Sequence, residues 1–288
     1  MTPADKAKIF LEALPYVQRF RDACFVVKYG GAAMDDAELV RHTLRDVVLL
    51  EAVGIHVVLI HGGGPAIGRA LKEAGISSSF VDGLRVTDAA TLRVIEQVLS
   101  GEVGPALVEI LEGLGGRARQ VLGQGVFAAK PLVAPLSLAG KQSLGFVGEP
   151  TSMDAQAIQS LLRERVIPVV SPIGRGEDGQ LYNINADVAA GCLAGALRAE
   201  KLVYLTDVNG VLRDPQDPKS TISVLTPKDV AVLQDRGVLQ GGMLPKVESA
   251  LSALRAGVGK VHLLDGRIPH ALLLEVFTDS GVGTELVL

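Results

Sequence analysis

Residues 57–68 read VVLIHGGGPAIG, an apolar strand-like run that ends in three glycines and continues into a helix-like segment. Residues 24–31, CFVVKYGG, show the same strand and glycine turn. Glycine lets the backbone turn tightly and approach a ligand closely. The helix that follows offers free N–H groups and a positive dipole end, which suit an anion. Neither turn matches G-x-x-x-x-G-K-[ST] or G-x-G-x-x-G, so other residues must identify the anion.

The order of strand, glycine turn and helix, met twice near the start of the chain, is typical of βαβ units and predicts a parallel sheet. Apolar residues make up 48% of the chain, as expected for strands buried on both faces. Later strands are predicted in 166–174 and 260–266, a long helix over 88–112, and hairpins over the sheet within 113–150. We therefore expect an α/β fold, an α/β/α sandwich with a mainly parallel open sheet. Its ligands should bind at the carboxyl edge of the strands.

Composition excludes several classes of function. The formal charge of −4 and the pI of about 5.8 argue against a nucleic-acid or membrane-surface partner, which would need a basic patch. No apolar run reaches the roughly 18 residues of a membrane helix. Cys24 and Cys192 lie far apart in apolar contexts, which predicts buried thiols and a cytoplasmic protein. The five histidines show no metal-ligand spacing.

Two lysines and one aspartate are candidates for catalysis. Lys28 lies in an apolar strand, where burial is costly without a partner, although a strand-capping surface lysine is the alternative. Lys246 begins a helix, where a cation is unfavourable unless an anion is near, although it could be a surface group. Asp187 opens an Ala-rich helix, where N-capping is the commonest function of aspartate. Together with the glycine turns, these residues suit phosphoryl transfer, in which positioning and charge neutralisation do most of the work.

Further polar side chains are candidates for binding. Arg85 is a bidentate donor suited to a carboxylate, and Asn183 and Asn185 alternate in a strand-like stretch, so both are predicted to point to one face. Turn-forming asparagines are an equal alternative. His61 could be a base, but a structural function is favoured. A substrate carboxylate is ionised at pH 7 and could attack ATP without any base.

Eight segments occur in a specific order: VVKYGG, LIHGGGP, GLRVTD, LGFVGE, PVVSPIG, YNINAD, LTDVNGVL and GGMLPK. Over essentially the whole chain this order closely resembles the N-acetylglutamate kinases of the amino-acid kinase family. The resemblance implies that N-acetyl-L-glutamate binds to an N-terminal lobe and ATP with Mg²⁺ to a C-terminal lobe. The implied product is N-acetyl-L-glutamyl 5-phosphate, in arginine biosynthesis.

The resemblance also implies functions for single residues. Lys28 and Lys246 would stabilise the transferring phosphoryl group, with Asp187 orienting both lysines. Backbone and side-chain groups would surround the two substrates: Gly63, Gly64, Arg85 and Asn183 at the acylated amino acid, and Gly30, Gly31, Asp207 and Gly242 at ATP. No protein ligand for a metal is expected, because Mg²⁺ is carried by ATP. Where related sequences commonly have Asn, this chain has Ala32, which removes an amide near the nucleotide phosphates.

The resemblance extends to regulation and assembly. Residues 1–21 are predicted as an amphipathic helix for oligomerisation, 22–178 as the lobe for the acylated amino acid, and 179–288 as the lobe for ATP and L-arginine. Such an extension resembles the arginine-inhibited kinases, which implies a homo-oligomer built as a trimer of dimers. His262 and Glu275 are the candidate arginine contacts, since a carboxylate accepts a guanidinium well.

Three alternative functions compete with the N-acetylglutamate kinase interpretation. The acid substrate could instead be glutamate, aspartate, an aminoadipate derivative or carbamate. A catalytically weak arginine-sensing protein with the same fold is disfavoured, because both lysines and Asp187 are present. An NAD-dependent oxidoreductase is excluded by the glycine spacing. This chain also lacks the ribose-binding acidic residue that such an enzyme would have at a strand end about 20 residues after Gly64.

Overall fold

The computed structural model describes residues 2–81, 83–133, 144–214, 216–217, 219–239, 242–278 and 281–288. The α-helices within them are α1 Pro3–Phe20, α2 Ala37–Ala52, α3 Gly64–Glu73, α4 Ala89–Val98, α5 Gly104–Gly113, α6 Gln156–Arg163, α7 Ala186–Leu197, α8 Pro227–Asp235, α9 Met243–Arg255 and α10 Ala271–Phe277. The strands are β1 Cys24–Tyr29, β2 His56–His61, β3 Phe80–Val81, β4 Leu84–Arg85, β5 Ala118–Val121, β6 Phe127–Pro131, β7 Val147–Met153, β8 Ile167–Val170, β9 Ile173–Arg175, β10 Leu181–Ile184, β11 Lys201–Thr206, β12 Val224–Leu225, β13 Lys260–Asp265 and β14 Gly283–Leu286.

Eight of these strands form one open sheet in the order β12-β14-β13-β11-β1-β2-β8-β5. Its described pairings are parallel except for β13 with β14. The chain leaves β1 through α2 towards β2, whereas β11 lies on the other side of β1. A crevice at the carboxyl ends of the strands is expected where connections diverge in this way. The predicted mainly parallel open sheet is confirmed.

Apolar side chains on both faces of the sheet explain why its strands read as continuous hydrophobic runs. Val27 and Leu59 pack in one buried cluster with α1, α2, α5 and α10. Val26 and Val58, one residue away on the same strands, pack in a second cluster with α6, α7, α8 and α9. Because side chains alternate between the faces of a strand, each strand needs apolar residues at every position. The predicted α/β/α sandwich is thereby confirmed.

Smaller elements cover the carboxyl edge of the sheet. Strands β6 and β7 pair antiparallel, as predicted for hairpins, and join β9 and β10 in a closed four-stranded barrel. Strands β3 and β4 form a separate hairpin. The predicted β-prone region also includes residues 134–143, which lie outside the described residues. Strand β10 belongs to the barrel although it lies beyond residue 178, and the predicted lobe boundary there stays a prediction.

Some local predictions need correction. The single helix expected over 88–112 consists of α4, a π-helical turn at Leu99–Val103, and α5. Cys24 and Cys192 are free, as expected, but are half-buried rather than buried. Burial raises the pKa of the Cys24 thiol to about 12 and also raises that of Cys192.

Candidate active site

The two glycine turns lie side by side because β1 and β2 are adjacent parallel strands. Tyr29 pairs with His61 in register, and the Gly62 N–H donates to the Tyr29 carbonyl over 2.8 Å. A β-carbon placed on Gly30 would lie 3.6 Å from the Gly62 α-carbon and 3.0 Å from the Lys28 ammonium. Glycine at these turns therefore lets two loops and a lysine meet in one small space.

The N-terminus of α3 is open to an anion. Gly63 occupies the N-cap position and provides no side-chain cap. A β-carbon on Gly63 would come within 2.6 Å of the Leu99 side chain, whereas one on Gly64 would meet nothing within 4 Å. One side of the turn is thus packed against the π-helical segment, and the other faces open space. The unpaired N–H groups and the helix dipole there favour a phosphate or carboxylate.

His61 is part of the scaffold of this turn. Its side chain is buried, and Nδ1 lies 3.0 Å from the Gly62 carbonyl oxygen, to which it donates in the neutral form. Burial lowers the pKa of His61 to about 4. A neutral imidazole that holds a backbone carbonyl fits the structural function favoured from the sequence.

Lys28, Asp187 and Lys246 form one charged cluster. The Lys28 Nζ lies 2.9 Å from Asp187 Oδ1, and the Lys246 Nζ lies 3.1 Å from Asp187 Oδ2. The side chains of Lys28 and Asp187 are 9% and 7% exposed, and that of Lys246 is 21% exposed. One carboxylate therefore holds two ammonium groups at the end of β1, beside the glycine turns. Two fixed cations can stabilise negative charge on a group in transfer.

The carboxylate of Asp187 is free for this function because another residue caps α7. The Asn185 side chain accepts the N–H groups of Asp187 and Val188 at 2.8 and 3.3 Å, so the N-cap is Asn185 and not Asp187. Burial alone would raise the pKa of Asp187, but Lys28 and Lys246 hold it below its usual value. Asp187 is therefore the fixed anion of the cluster.

Arg85 and Asn183 are connected through a buried threonine. The Asn183 amide donates to the Thr87 hydroxyl over 3.2 Å, and this hydroxyl donates to the Arg85 carbonyl over 2.8 Å. Asn185 caps α7 and, in the part of the chain that the structure describes, takes no part in these hydrogen bonds, so the prediction that both asparagines point to one face stays a prediction. The Arg85 guanidinium lies 4.5 Å above the Phe80 ring, and its Nη2 lies 3.5 Å from the Gly64 carbonyl oxygen. Burial lowers the pKa of Arg85.

Within the described residues Arg85 makes no ion pair, so its charge is available to an anionic ligand. It contacts Ser78 through a hydrogen bond. Its position beside the α3 N-terminus would let a ligand carboxylate bridge both. The predicted positions of Arg85, Gly64 and Asn183 thus come together in one region.

Two of the predicted nucleotide residues, Asp207 and Gly242, belong to the C-terminal part of the chain, and a β-carbon on Gly83 would lie 4.0 Å from the Gly242 α-carbon. Gly242 occupies the N-cap of α9, which carries Lys246, and Asp207 is exposed after the end of β11. A mostly apolar cavity of about 370 Å³ lies next to them, lined by Val208, Gly210, Val211, Leu212, Gly237, Val238, Leu239 and Met243. Its size and apolar walls suit a flat heterocycle. The other two, Gly30 and Gly31, directly follow β1, and Gly31 has φ of +86°.

His262 and Glu275 come together in a separate buried cluster. His262 Nδ1 lies 2.8 Å from Glu275 Oε1, and Lys201 Nζ lies 3.3 Å from His262 Nε2 and 3.8 Å from Glu275 Oε1. Burial by itself raises the pKa of Glu275, but His262 and Lys201 hold it below its usual value. Lys201 was missed in the sequence, although it starts a buried strand just as Lys28 ends one. The ammonium of Lys201 also lies 5.4 Å from the centre of the Phe20 ring.

Of the helices that the structure describes, none combines the length and apolar character required to cross a lipid bilayer. In the same part of the chain, no group of three or more His, Cys, Asp or Glu side chains is placed to hold a metal ion. At Ala32 this chain differs from the asparagine that related sequences commonly have, and the Ala32 side chain lies outside what the structure describes.

Comparison with known proteins agrees with this geometry. Residues 23–265 match the model of the amino acid kinase family. The acetylglutamate kinase of Desulforamulus reducens is 47% identical over 293 residues, covering 100% of this chain and 99% of that protein. The acetylglutamate kinase of Heliobacterium modesticaldum is 48% identical over 286 residues, with 97% of each chain covered.

Solved structures share the fold. N-acetylglutamate synthase from Neisseria gonorrhoeae, complexed with coenzyme A and N-acetyl-glutamate, matches with a TM-score of 0.85 at 28% identity. The match covers 98% of this chain and 63% of the synthase, so this chain spans less than two-thirds of that protein. Carbamate kinase from Giardia lamblia bound to AMP-PNP matches with a TM-score of 0.67 at 18% identity, covering 92% and 98% of the two chains. Because the family model spans most of the chain and the identity to two kinases is full-length, the chain belongs to the amino acid kinase family and is a kinase.

Proposed function

We propose that this chain phosphorylates the side-chain carboxylate of N-acetyl-L-glutamate with ATP, as an acetylglutamate kinase of arginine biosynthesis. The products are N-acetyl-L-glutamyl 5-phosphate and ADP. The observation that carries the proposal is the cluster of Lys28, Asp187 and Lys246 beside two glycine turns. The name of the relatives, which are 47–48% identical over the full chain, supplies the substrate.

In the proposed reaction a carboxylate oxygen of the substrate attacks the γ-phosphorus of ATP. A new P–O bond forms, the bond from the γ-phosphorus to the β,γ-bridging oxygen breaks, and ADP leaves with that electron pair. No proton has to be moved, because the attacking carboxylate is already ionised. This fits a site in which the buried histidine, His61, has a pKa of about 4 and supports the backbone.

The protein groups act by positioning and by charge. Lys28 and Lys246 approach the transferring phosphoryl group from two elements, and Asp187 keeps both ammonium groups in place. The N–H groups of Gly31, Gly63 and Gly64 are the proposed backbone donors. Such preorganised donors stabilise the charge that the phosphoryl oxygens carry in the transition state.

The two substrates are proposed to enter from opposite sides. The acylated amino acid lies against the 22–178 part, with its α-carboxylate at Arg85, and its polar groups reach Asn183 near the start of the 179–288 part. ATP lies in the 179–288 part, with its base in the cavity between Val208 and Met243. Its Mg²⁺ arrives on the phosphates, because Mg²⁺ at nucleotide sites keeps waters and substrate phosphates as ligands. The Gly30, Asp207 and Gly242 backbones surround the phosphates.

Arginine inhibition and oligomerisation are proposed on separate observations. His262 and Glu275 already form a pair in which an arginine guanidinium could replace the Lys201 ammonium. Helix α1 carries exposed apolar side chains, among them Phe10 at 78% and Leu11 at 67%, which suit burial against another subunit. We propose that residues 1–21 join dimers into a trimer of dimers, and that the enzyme acts in the cytoplasm. One solved synthase of similar fold, with a TM-score of 0.81 at 27% identity, is complexed with L-arginine.

The test is ATP-dependent hydroxamate formation, in which hydroxylamine traps an acyl phosphate. N-acetyl-L-glutamate is compared with glutamate, aspartate and N-acetylaspartate, each with and without L-arginine. Turnover restricted to N-acetyl-L-glutamate and suppressed by arginine supports both the substrate assignment and the arginine inhibition. Turnover without arginine sensitivity removes the regulatory part. Turnover only with another acid overturns the substrate assignment, and no turnover with any acid overturns the proposed activity.

A further inference from the structure

A buried hydrogen-bonding network lies directly behind the Lys28, Asp187 and Lys246 cluster. The Ser249 hydroxyl donates to the Asp187 backbone carbonyl over 2.7 Å. The Tyr204 hydroxyl lies 2.9 Å from the Ser249 hydroxyl and donates to the same carbonyl over 3.2 Å. Tyr204, Ser249 and Asp187 are all buried. Three elements, α7, β11 and α9, therefore meet at one carbonyl oxygen.

Helix α9 reaches this carbonyl only because α7 lacks a side chain at one position. A β-carbon on Gly191, one turn after Asp187, would lie 2.8 Å from the Ser249 hydroxyl oxygen and 3.2 Å from the Ser249 carbonyl oxygen. Any larger residue there would push the two helices apart. The close approach of the two helices therefore depends on Gly191. It brings the Ser249 hydroxyl of α9 to Asp187, whose carboxylate pairs with both lysines.

The same face of α9 contacts the nucleotide cavity and the charged cluster. Met243 lines the cavity, Lys246 pairs with Asp187, and Ser249 binds the Asp187 carbonyl. Residues three apart on a helix lie on one side of it. Gly242 at the start of α9 offers no side-chain cap. Ser249 lies about two turns further on, where the helix is fixed against α7.

Tyr204 keeps the hydroxyl network in its protonated form. Burial, and to a smaller degree the charge of Asp187, raise the pKa of Tyr204 well above its ordinary value. The phenol is therefore protonated at neutral pH and can donate a hydrogen bond. With Ser249 donating to the Asp187 carbonyl, the Ser249 oxygen and that carbonyl are both acceptors within reach of the Tyr204 hydroxyl.

We propose that Ser249 and Tyr204 are positioning residues, which set the placement of Lys246 relative to Asp187 by holding α9 at the Asp187 carbonyl. The inference rests on the proposed phosphoryl transfer for its kinetic consequence. It says that the second lysine is placed by a hydroxyl three residues away, and not by its ion pair alone. A lysine side chain is long and mobile, so its ammonium is well placed only if its helix is.

The experiment compares Ser249→Ala with Ser252→Ala, the same substitution at an exposed serine of the same helix. The first readout is the rate at which acetyl N-hydroxysuccinimide ester labels Lys246, measured by peptide mass spectrometry. We expect several-fold faster labelling in Ser249→Ala and in Tyr204→Phe, and an unchanged rate in Ser252→Ala. Equal rates in Ser249→Ala and Ser252→Ala would overturn the inference, whether or not the chain shows kinase activity.

The second readout is kinetic. We expect Ser249→Ala to lower kcat about tenfold, the effect of about 1.4 kcal/mol, with KM for both substrates nearly unchanged. In the Lys246→Ala background the same substitution should cause no further loss, since its effect passes through Lys246. A full loss in that background overturns the inference. Absence of turnover in the unaltered protein would instead overturn the proposed function, and the labelling comparison would still decide the inference.

Discussion

The protonation of His61 provides a quantitative test of how the glycine turn is built. The pKa of this buried side chain falls from an ordinary 6.5 to about 4. Between about pH 4 and pH 6.5, His61 is therefore mostly neutral in the folded protein and mostly protonated in the unfolded chain. The stability that depends on neutral His61 is fully present above pH 6.5 and is lost as the pH falls towards 4. The whole shift corresponds to about 3 kcal/mol, of which about 2 kcal/mol is already lost at pH 5.

We therefore predict that His61→Gln makes the free energy of unfolding less dependent on pH. Urea unfolding of both proteins at pH 8 and pH 5 measures the change, and groups other than His61 contribute equally to both. His56→Gln is the matched control, because His56 begins the same strand. Burial lowers the pKa of His56 too, but this side chain is partly exposed, so a smaller change is expected. If the unaltered protein and His61→Gln lose the same stability between the two pH values, the assignment of a buried neutral imidazole is wrong.

Three further predictions concern the charged cluster, the substrate and the assembly. Lys28→Ala should lower kcat about a hundredfold, the usual effect of losing one preorganised donor, and near-normal turnover would remove Lys28 from the site. Arg85→Ala should raise KM for the acylated amino acid far more than KM for ATP, and equal effects would place Arg85 elsewhere. Phe10→Ser should lower the oligomer mass in light scattering while Lys8→Ser does not. An unchanged mass in Phe10→Ser would show that this face of α1 joins no subunits.

Local sequence patterns were enough to predict the class of fold. Strands such as β1 and β2 are apolar at every position because both faces of the sheet are covered, and this is readable along the chain. The glycines that follow each strand marked the carboxyl edge, where the structure places the candidate site. The π-helical turn at Leu99–Val103 was not predicted, because the apolar pattern of 88–112 is compatible with one continuous helix.

The sequence also indicated the candidate residues individually, but it did not show which of them contact one another. Lys28 was notable as a lysine in an apolar strand, and Lys246 as a cation at a helix start. For Asp187, chemistry at the start of a helix favours capping, and only the structure shows that Asn185 caps and leaves Asp187 free. Lys201 escaped notice, because a lysine at the start of a strand is ordinary until His262 and Glu275 are seen around it.

Strand composition, turn glycines and isolated charges are local properties, so the sequence alone determined the layered α/β architecture and a set of polar candidates. Which of them meet depends on contacts between distant parts of the chain. Strand β1 had to pair with β2 and β11, and α7 and α9 had to approach within the distance that Gly191 allows. Only the tertiary structure decided that one carboxylate would hold two lysines, because a buried charge is stable only when packing brings its partners to it.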